Sequence, residues 1–334
     1  MGRGYSAAPV KRSLVTGGHG FVASHLATAL LQRGDAVTVL DIGAPPVSGL
    51  ALQGVEAEVE LIRGDLGDAE LTGAVLSAGE FDVVFHLAAQ TLVGIAMADP
   101  AATFETNVRG TWTLLEACRA ADVPAVIVAS SDKAYGPQEQ LPYREDQALC
   151  PASPYEASKA AADVIALSYR RGFGLPIGVT RFANVYGGGD LNFSRLVPEA
   201  VTAVLQGRRP VIRSDGSPQR DFLFVDDAVA AYLAVEHAVG AGGPAAGEAL
   251  NAGGDQPHSV LEVLELIGEV AGTGIEPDIR GLGNPEGEID RQFVDSTKLR
   301  EMTGWAPEVE LGEGLGRTVE WYREHPDLRP AAAG

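Results

Sequence analysis

Tyr155 and Lys159 stand four residues apart in Tyr155-Glu156-Ala157-Ser158-Lys159, a spacing that puts both side chains on one face of a helix. An ammonium beside a phenol favours the phenolate. Such a pair can remove a hydroxyl proton while the adjoining carbon gives up hydride. A second reactive cluster is Ser130-Ser131-Asp132-Lys133-Ala134-Tyr135-Gly136, directly after a strand pattern. Ser131 can hold the reacting hydroxyl near Tyr155, and Asp132 can donate a proton to a departing hydroxyl. Lys133 can act as a base only if its pKa is lowered, because an ordinary lysine is protonated near neutral pH. The plainer alternatives are that Asp132 caps a loop and Lys133 is a solvated cation.

Hydride chemistry needs an acceptor, and the chain offers a place for one. In Gly17-Gly18-His19-Gly20-Phe21-Val22-Ala23, the small residues Gly17, Gly20 and Ala23 recur at intervals of three. Small residues let a pyrophosphate approach the backbone and let the following helix pack close to the sheet. The N-terminus of that helix then faces the anion. Asp41 closes the next strand, where its carboxylate can accept hydrogen bonds from an adenosine ribose and would repel a 2′-phosphate, which favours NAD over NADP. Asp65 and Leu66 are candidates for adenine contacts, against a strand exit and a core leucine. His19 reads as packing within the turn; nothing supplies a metal cluster beside it.

These groups need a scaffold. Ser13–Thr16, Ala36–Leu40, Leu61–Ile62, the run from Phe81 to Ala89, Ala125–Ala129 and Ile177–Arg181 read as strands. Val22–Gln32, Phe104–Ala120 and Tyr155–Arg171 read as helices. Alternation of this kind predicts an α/β fold, a Rossmann-type parallel sheet with helices on both faces. Beyond it, glycine and proline clusters break the rhythm around plausible helices at Asp226–His237 and Val260–Val270. The expected division is residues 1–182 as mainly the dinucleotide domain and 183–334 as mainly a smaller substrate lobe. A segment near 223–255, with a strand at Ala249–Asn251, is expected to return to the first domain.

With 334 residues, 46% of them hydrophobic, the chain can bury a substantial core. Its formal net charge of −20 disfavours nucleic acid and anionic membranes as partners, although local arginines can still build an anion pocket. Two cysteines, Cys118 and Cys150, make neither a disulfide scaffold nor a metal cluster. No signal-peptide pattern or membrane span stands out, so a cytoplasmic location is the expectation.

Taken together, Thr16 to Phe21, His86-Leu87-Ala88-Ala89-Gln90, Asn107, Tyr155 to Lys159, Arg181-Phe182-Ala183-Asn184-Val185-Tyr186-Gly187, Arg220-Asp221-Phe222 and Val225-Asp226-Asp227 resemble the extended short-chain dehydrogenase/reductases. Within that family the likeness is to the NAD-dependent nucleotide-sugar epimerases and 4,6-dehydratases, over nearly the whole chain. The resemblance implies further cofactor contacts at Phe21, Val22, Leu87, Ala88, Ala89, Asn107 and Ser130. It also implies a nucleoside-diphosphate sugar as substrate: Asn184 at the phosphate end, Arg220 and Arg291 on the pyrophosphate, Leu196 and Val197 lining the base pocket, with Arg195 and Arg213 as further candidates. Gln90 is a candidate for the sugar or nicotinamide side, or else a polar cap at a strand end. Family dehydratases often carry Asp-Glu after the active-site Ser or Thr, whereas this chain has Asp132 and Lys133. The string Ser131 to Gly136 is similar to CDP-glucose 4,6-dehydratases. The preferred expectation is therefore 4,6-dehydration of an NDP-hexose, with 4-epimerisation as the alternative. Decarboxylation or an NAD-sensing role follows further behind. The helices around Phe104–Ala120 and Tyr155–Arg171 resemble those that build a family homodimer.

Overall fold

The computed structural model describes residues 10–43, 45–281 and 289–330. Six strands fall where hydrophobic runs alternate with helical patterns: β1 (Arg12–Thr16), β2 (Ala36–Asp41), β3 (Glu60–Arg63), β4 (Val83–His86), β5 (Val126–Ala129) and β6 (Ile177–Phe182). After them come β7 (Asn184–Tyr186), β8 (Val211–Ile212), β9 (Gln219–Phe224), β10 (Ala249–Ala252), β11 (Pro257–Ser259), β12 (Asp278–Ile279) and β13 (Arg291–Gln292). The main sheet has the order β10-β6-β5-β4-β1-β2-β3, and every pairing in it is parallel. Strand order reverses direction at β1, so a crevice opens between the carboxyl ends of β1 and β4, the place where such sheets bind ligands.

Both faces are covered. On one side Leu26, Leu30 and Val235 pack against Val15, Val39 and Phe85; on the other, Leu76, Leu114 and Leu115 meet Leu14, Val84 and Val126. This continuous burial explains why the central strands read as unbroken apolar runs. The helix Val225–Val239 lies against the first helix, Phe21–Arg33. Arg33 ties them at the edge away from the crevice, reaching Asp35 at 2.5 Å and the buried Glu236 at 2.6 Å. A separate core of Tyr186, Val197, Phe224, Leu264, Ile267, Leu315 and Tyr322 builds the smaller lobe. There β9 pairs with β7, β11 and β13.

The expected helix Phe104–Ala120 is broken in the structure. Pro100–Phe104 is α-helical, Glu105–Arg109 is a π-turn, and α-helix resumes at Gly110–Ala120. A π-turn inserts an extra residue without changing the apolar pattern much, which is why periodicity reads straight through it.

Below the reactive segment, Asp163 holds Arg181 through two bonds of 2.7 and 3.0 Å. Arg181 reaches the Tyr135 hydroxyl at 2.8 Å, and Tyr135 donates to Asn251 on β10 at 2.8 Å. All four side chains are buried. Asp163→Ala strands a buried guanidinium, so the expected loss is about 3–5 kcal/mol of stability, read as a lower urea midpoint; a loss under about 1 kcal/mol contradicts this account.

Candidate active site

The glycine turn joins β1 to the first helix. Gly17 has φ +73, and a Cβ there would lie 2.7 Å from the Ala88 Cα, so only glycine lets this turn touch the strand exit of β4. Gly18, which fits no interval in the motif, has a role that packing alone reveals: its Cβ position lies 2.5 Å from a Val39 methyl. Gly20 begins the helix and gives its amides no side-chain cap. A 13-residue helix with uncapped amides facing the crevice suits a pyrophosphate. Phe21 and Val22 are half-buried on the first helical turn, and Phe21 sits edge-on to His25.

Asp41 terminates β2 and accepts the His19 N–H at 3.2 Å. The His19 ring instead meets the Ser48 hydroxyl at 2.7 Å, so it fastens the turn to the next segment. Asp65 is exposed and accepts from the Gly67 N–H at 2.8 Å, whereas Leu66 is buried in the core. Little of Leu66 is left to meet an adenine.

Beyond β4 the chain runs through the half-buried residues Leu87, Ala88, Ala89 and Gln90. Asn107, within the π-turn, fixes this loop: its Oδ1 accepts the Gln90 N–H at 2.7 Å, and its Nδ2 donates to the Gln90 carbonyl and the Ser158 hydroxyl, both at 2.9 Å. Both N–H groups of its amide are engaged in positioning, while its oxygen keeps a second lone pair. The Gln90 side chain folds onto its own loop, bonding Leu92 and Thr103. In this arrangement the Gln90 side chain caps the loop at the strand end. Sequence reasoning missed the buried chain Thr16–His86–Thr111 behind this loop, with contacts of 2.9 Å on each side of the imidazole. Burial, with the Lys159 charge adding to it, pushes His86 down to about 3, so the ring is neutral there.

The reactive residues converge from two elements. Ser130, Ser131, Asp132 and Lys133 follow β5, the last two in a short 3-10 turn. Tyr155 and Lys159 lie on the helix Pro154–Phe173, started by a capping box of Ser153 and Glu156. Ser131 donates to Asp132 Oδ1 at 3.0 Å and is near enough to the Tyr155 phenol to favour its charged form. Lys159 Nζ donates to the Ala129 carbonyl at 3.0 Å. The electrostatics differ from the sequence expectation. Burial pushes Tyr155 up to about 12; the Arg195 charge and Ser131 oppose that rise, and the Asp132 charge adds to it. Burial also pushes Lys159 down to about 8, which weakens the charge it was expected to supply. Asp132 is raised, chiefly by burial. Lys133 bonds Gln292 Oε1 on β13 at 3.3 Å.

Two of the four arginines lie on neighbouring strands of the lobe, in registers that turn them to opposite faces of the sheet. Parallel pairing of β13 with β9 puts Arg291 opposite Gln219 and Gln292 opposite Arg220. Arg220 donates to the Gln219 carbonyl at 2.9 Å and Arg291 to the Gln219 side chain at 2.8 Å. Arg195 bonds the buried Asp190 at 3.0 Å and is close enough to act on Tyr155. Arg213 is exposed beyond β8. Asn184 donates to the Asp221 carbonyl at 3.1 Å. Leu196 opens a helix half-buried, but Val197 is 3% exposed in the lobe core, which leaves almost no surface for a base. Among the described residues no group of acids, histidines or cysteines is arranged to hold a metal ion, and no helix is long and apolar enough to cross a membrane.

A parallel sheet with this turn, an acid ending β2 and a buried Ser–Tyr–Lys set at the crevice defines a dinucleotide-dependent enzyme that works on a hydroxyl-bearing carbon. The profile of the NAD dependent epimerase/dehydratase family matches residues 13–253, and the chain belongs to that family. It is 37% identical to a UDP-glucose 4-epimerase of Mycolicibacterium smegmatis, over 93% of this chain and 98% of that protein. It is 36% identical to a dTDP-glucose 4,6-dehydratase of Streptomyces griseus, over 93% and 94%. The crystal structure of a Thermotoga maritima UDP-glucose 4-epimerase with UDP-glucose superposes with TM-score 0.86 at 30% identity, covering 94% of this chain and 99% of that one. The dTDP-glucose 4,6-dehydratase DesIV of Streptomyces venezuelae, solved with NAD, gives 0.85 at 33%, covering 95% and 98%. The cofactor is NAD and the substrate class is nucleotide sugars.

Replacing the carboxylate at the end of β2 tests the ribose assignment. Asp41→Ser is expected to raise the Kd for NAD about tenfold or more, about 1.4 kcal/mol, and to narrow the preference over NADP in parallel titrations. An unchanged ratio of the two affinities removes Asp41 from the ribose site.

Proposed function

We propose that the protein is an NAD-dependent nucleotide-sugar 4-epimerase. Tyr155 takes the C4 hydroxyl proton as hydride leaves C4 for the nicotinamide, the keto sugar turns, and hydride returns to its other face. The observation carrying this reading is the convergence of Ser131, just past the carboxyl end of β5, with the buried Tyr155 of the helix Pro154–Phe173, on the same crevice as the glycine turn. NAD supplies the hydride acceptor. Tyr155 supplies the base, Ser131 aligns the hydroxyl, Lys159 bonds the Ala129 carbonyl beneath them, and Arg220 and Arg291 each carry a guanidinium suited to pyrophosphate oxygens.

Inversion needs no group beyond these. Dehydration, the preference drawn from the sequence, needs in addition a base at C5, and Lys133 is engaged by Gln292. Likeness to epimerases and dehydratases alike leaves that requirement to decide, and it favours inversion. One observation favours water loss as the second reading: Asp132 is buried, is held toward its protonated form, and has one oxygen without a partner. The string Ser131 to Gly136 makes CDP-glucose a substrate to include beside UDP-, dTDP- and GDP-hexoses. A second copy of the chain is the proposed protein partner, through the face on which Phe104, Trp112 and Val164 remain exposed.

Incubation with this panel, read by product mass and C4 stereochemistry together, separates the readings. Inversion at unchanged mass supports the epimerase, loss of one water supports the dehydratase, and unaltered sugars despite NAD binding overturn both. In the productive reaction, Tyr155→Phe is expected to lower turnover about 10²–10⁴-fold while leaving the Kd for NAD within about threefold.

A further inference from the structure

Behind the loop that leaves β4, four buried residues share one run of hydrogen bonds. Thr16 and His86 are register partners at the carboxyl ends of β1 and β4, and Thr16 Oγ1 lies 2.9 Å from His86 Nδ1. On the other side of the ring, His86 Nε2 lies 2.9 Å from Thr111 Oγ1, on the helix Gly110–Ala120. Thr111 reaches the Asn107 carbonyl, and all four side chains are buried. The direction of each bond follows from the ends of the run. A carbonyl can only accept, so the Thr111 hydroxyl commits its single hydrogen to Asn107, at 2.6 Å. His86 Nε2 must therefore carry the ring hydrogen and donate it to Thr111. With the ring neutral, Nδ1 is an acceptor, and the Thr16 hydroxyl donates to it. The Thr16 oxygen is then left to accept the Ala88 N–H at 3.1 Å. Turning the ring over would strand buried hydrogens at both of its nitrogens.

We propose that His86 is a positioning residue for the dinucleotide: fixed as the Nε2–H tautomer between Thr111 and Thr16, it sets Ala88 against the glycine turn that receives the pyrophosphate. Ala88 is where that turn meets the strand exit of β4. A Cβ at Gly17 would lie 2.7 Å from the Ala88 Cα and 2.9 Å from its nitrogen. Asn107, at the far end of the run, holds the Gln90 backbone with its side chain and reaches the Tyr155 carbonyl through Ser158. The loop from Ala88 to Gln90 is thus held from Asn107 at both ends. The side chain holds it at Gln90, and the carbonyl holds it at Ala88 through Thr111, His86 and Thr16. A site keeps its geometry only if the residues behind it are themselves fixed. A displaced Ala88 would either press on Gly17 or leave the turn unsupported, and the amides that open the first helix would lose their aim at the anion. His86 is 3% exposed, so it acts through Thr16 and Ala88 and not by contact with the cofactor. The inference rests on NAD as the cofactor and on neither outcome of the sugar reaction.

Two measurements on the full chain test this, and neither involves a sugar. In protein isotope-labelled at its histidine nitrogens, the ring whose Nε2–H shows an NOE to the Thr111 methyl should be protonated on Nε2 and bare on Nδ1. A proton on Nδ1, alone or in addition, overturns the proposal. The second measurement is titration with NAD. Thr111→Val keeps the shape of the side chain but strands the His86 Nε2–H and the Asn107 carbonyl. It should raise the Kd for NAD about tenfold or more. Thr111→Ser restores the hydroxyl and should recover most of that loss. Thermal denaturation of the same variants separates positioning from simple support. A Thr111→Val protein with a lowered Tm but a Kd for NAD within about threefold of the wild type overturns the proposal, and so does a Thr111→Ser protein no better than Thr111→Val. Where Thr111→Val does not fold, Thr16→Val breaks the run at its other end and is read in the same way. Product mass and stereochemistry do not enter these measurements, so failure of the His86 assignment and failure of the epimerase reading are separate results.

Discussion

The amide of Asn107 is the interaction on which the site's geometry depends. One oxygen and one nitrogen hold both backbone groups of Gln90 and the hydroxyl of Ser158. Ser158 in turn donates to the Tyr155 carbonyl at 2.7 Å. The loop leaving β4, which closes against the glycine turn, is thereby locked to the helix that carries Tyr155 and Lys159. The π-turn from Glu105 to Arg109 is what aims this amide inward, since its extra residue breaks the helical register between Phe104 and Gly110. The loop after β4 and the helix bearing the phenol are thus referred to one another through a single buried side chain.

Burial then sets the charge states inside that frame. The outside of the protein carries a formal net charge of −20, yet the crevice is poor in settled charge: His86 is neutral, Lys159 is weakened as a cation, and Tyr155 and Asp132 are held toward their protonated forms. The permanent cations are guanidiniums, which do not lose their protons when buried. Arg195 acts on the site from the lobe, and Arg220, on β9, favours the charged form of Asp132. The lobe therefore contributes permanent positive charge to the crevice, and the Rossmann half contributes geometry more than charge.

The legible parts of this architecture are those written locally. The turn from Gly17 to Ala23 sits between a strand and a helix whose periods change from two to 3.6, and Asp41 ends the adjacent strand, so sheet, turn and NAD follow from short stretches. That Tyr155 and Lys159 share one helix is legible for the same reason, whereas the bond of Lys159 to the Ala129 carbonyl is not. What stayed hidden depends on long-range pairing or packing. Gln90 looks like a pocket residue until Asn107 and Thr103 are seen to occupy its loop. Val197 has the right type for a base pocket but turns into the lobe core. Gln292 meets Lys133 of the reactive turn from a strand that pairs with β9 far along the chain, and a two-residue strand has no period to read.

The high pKa of Tyr155 ties the chemistry to the cofactor's oxidation state. A phenol held near 12 is a poor base at neutral pH, and Lys159, itself weakened by burial, offers only part of a remedy. An oxidised nicotinamide ring carries a positive charge, and in a pocket this buried a positive charge acts strongly on a neighbouring phenol. With an oxidised nicotinamide bound beside it, Tyr155 would be drawn toward its phenolate, and the burial that raises it would favour the phenol wherever that charge is absent. The same burial would thus couple the protonation of the tyrosine to the charge of the group bound next to it.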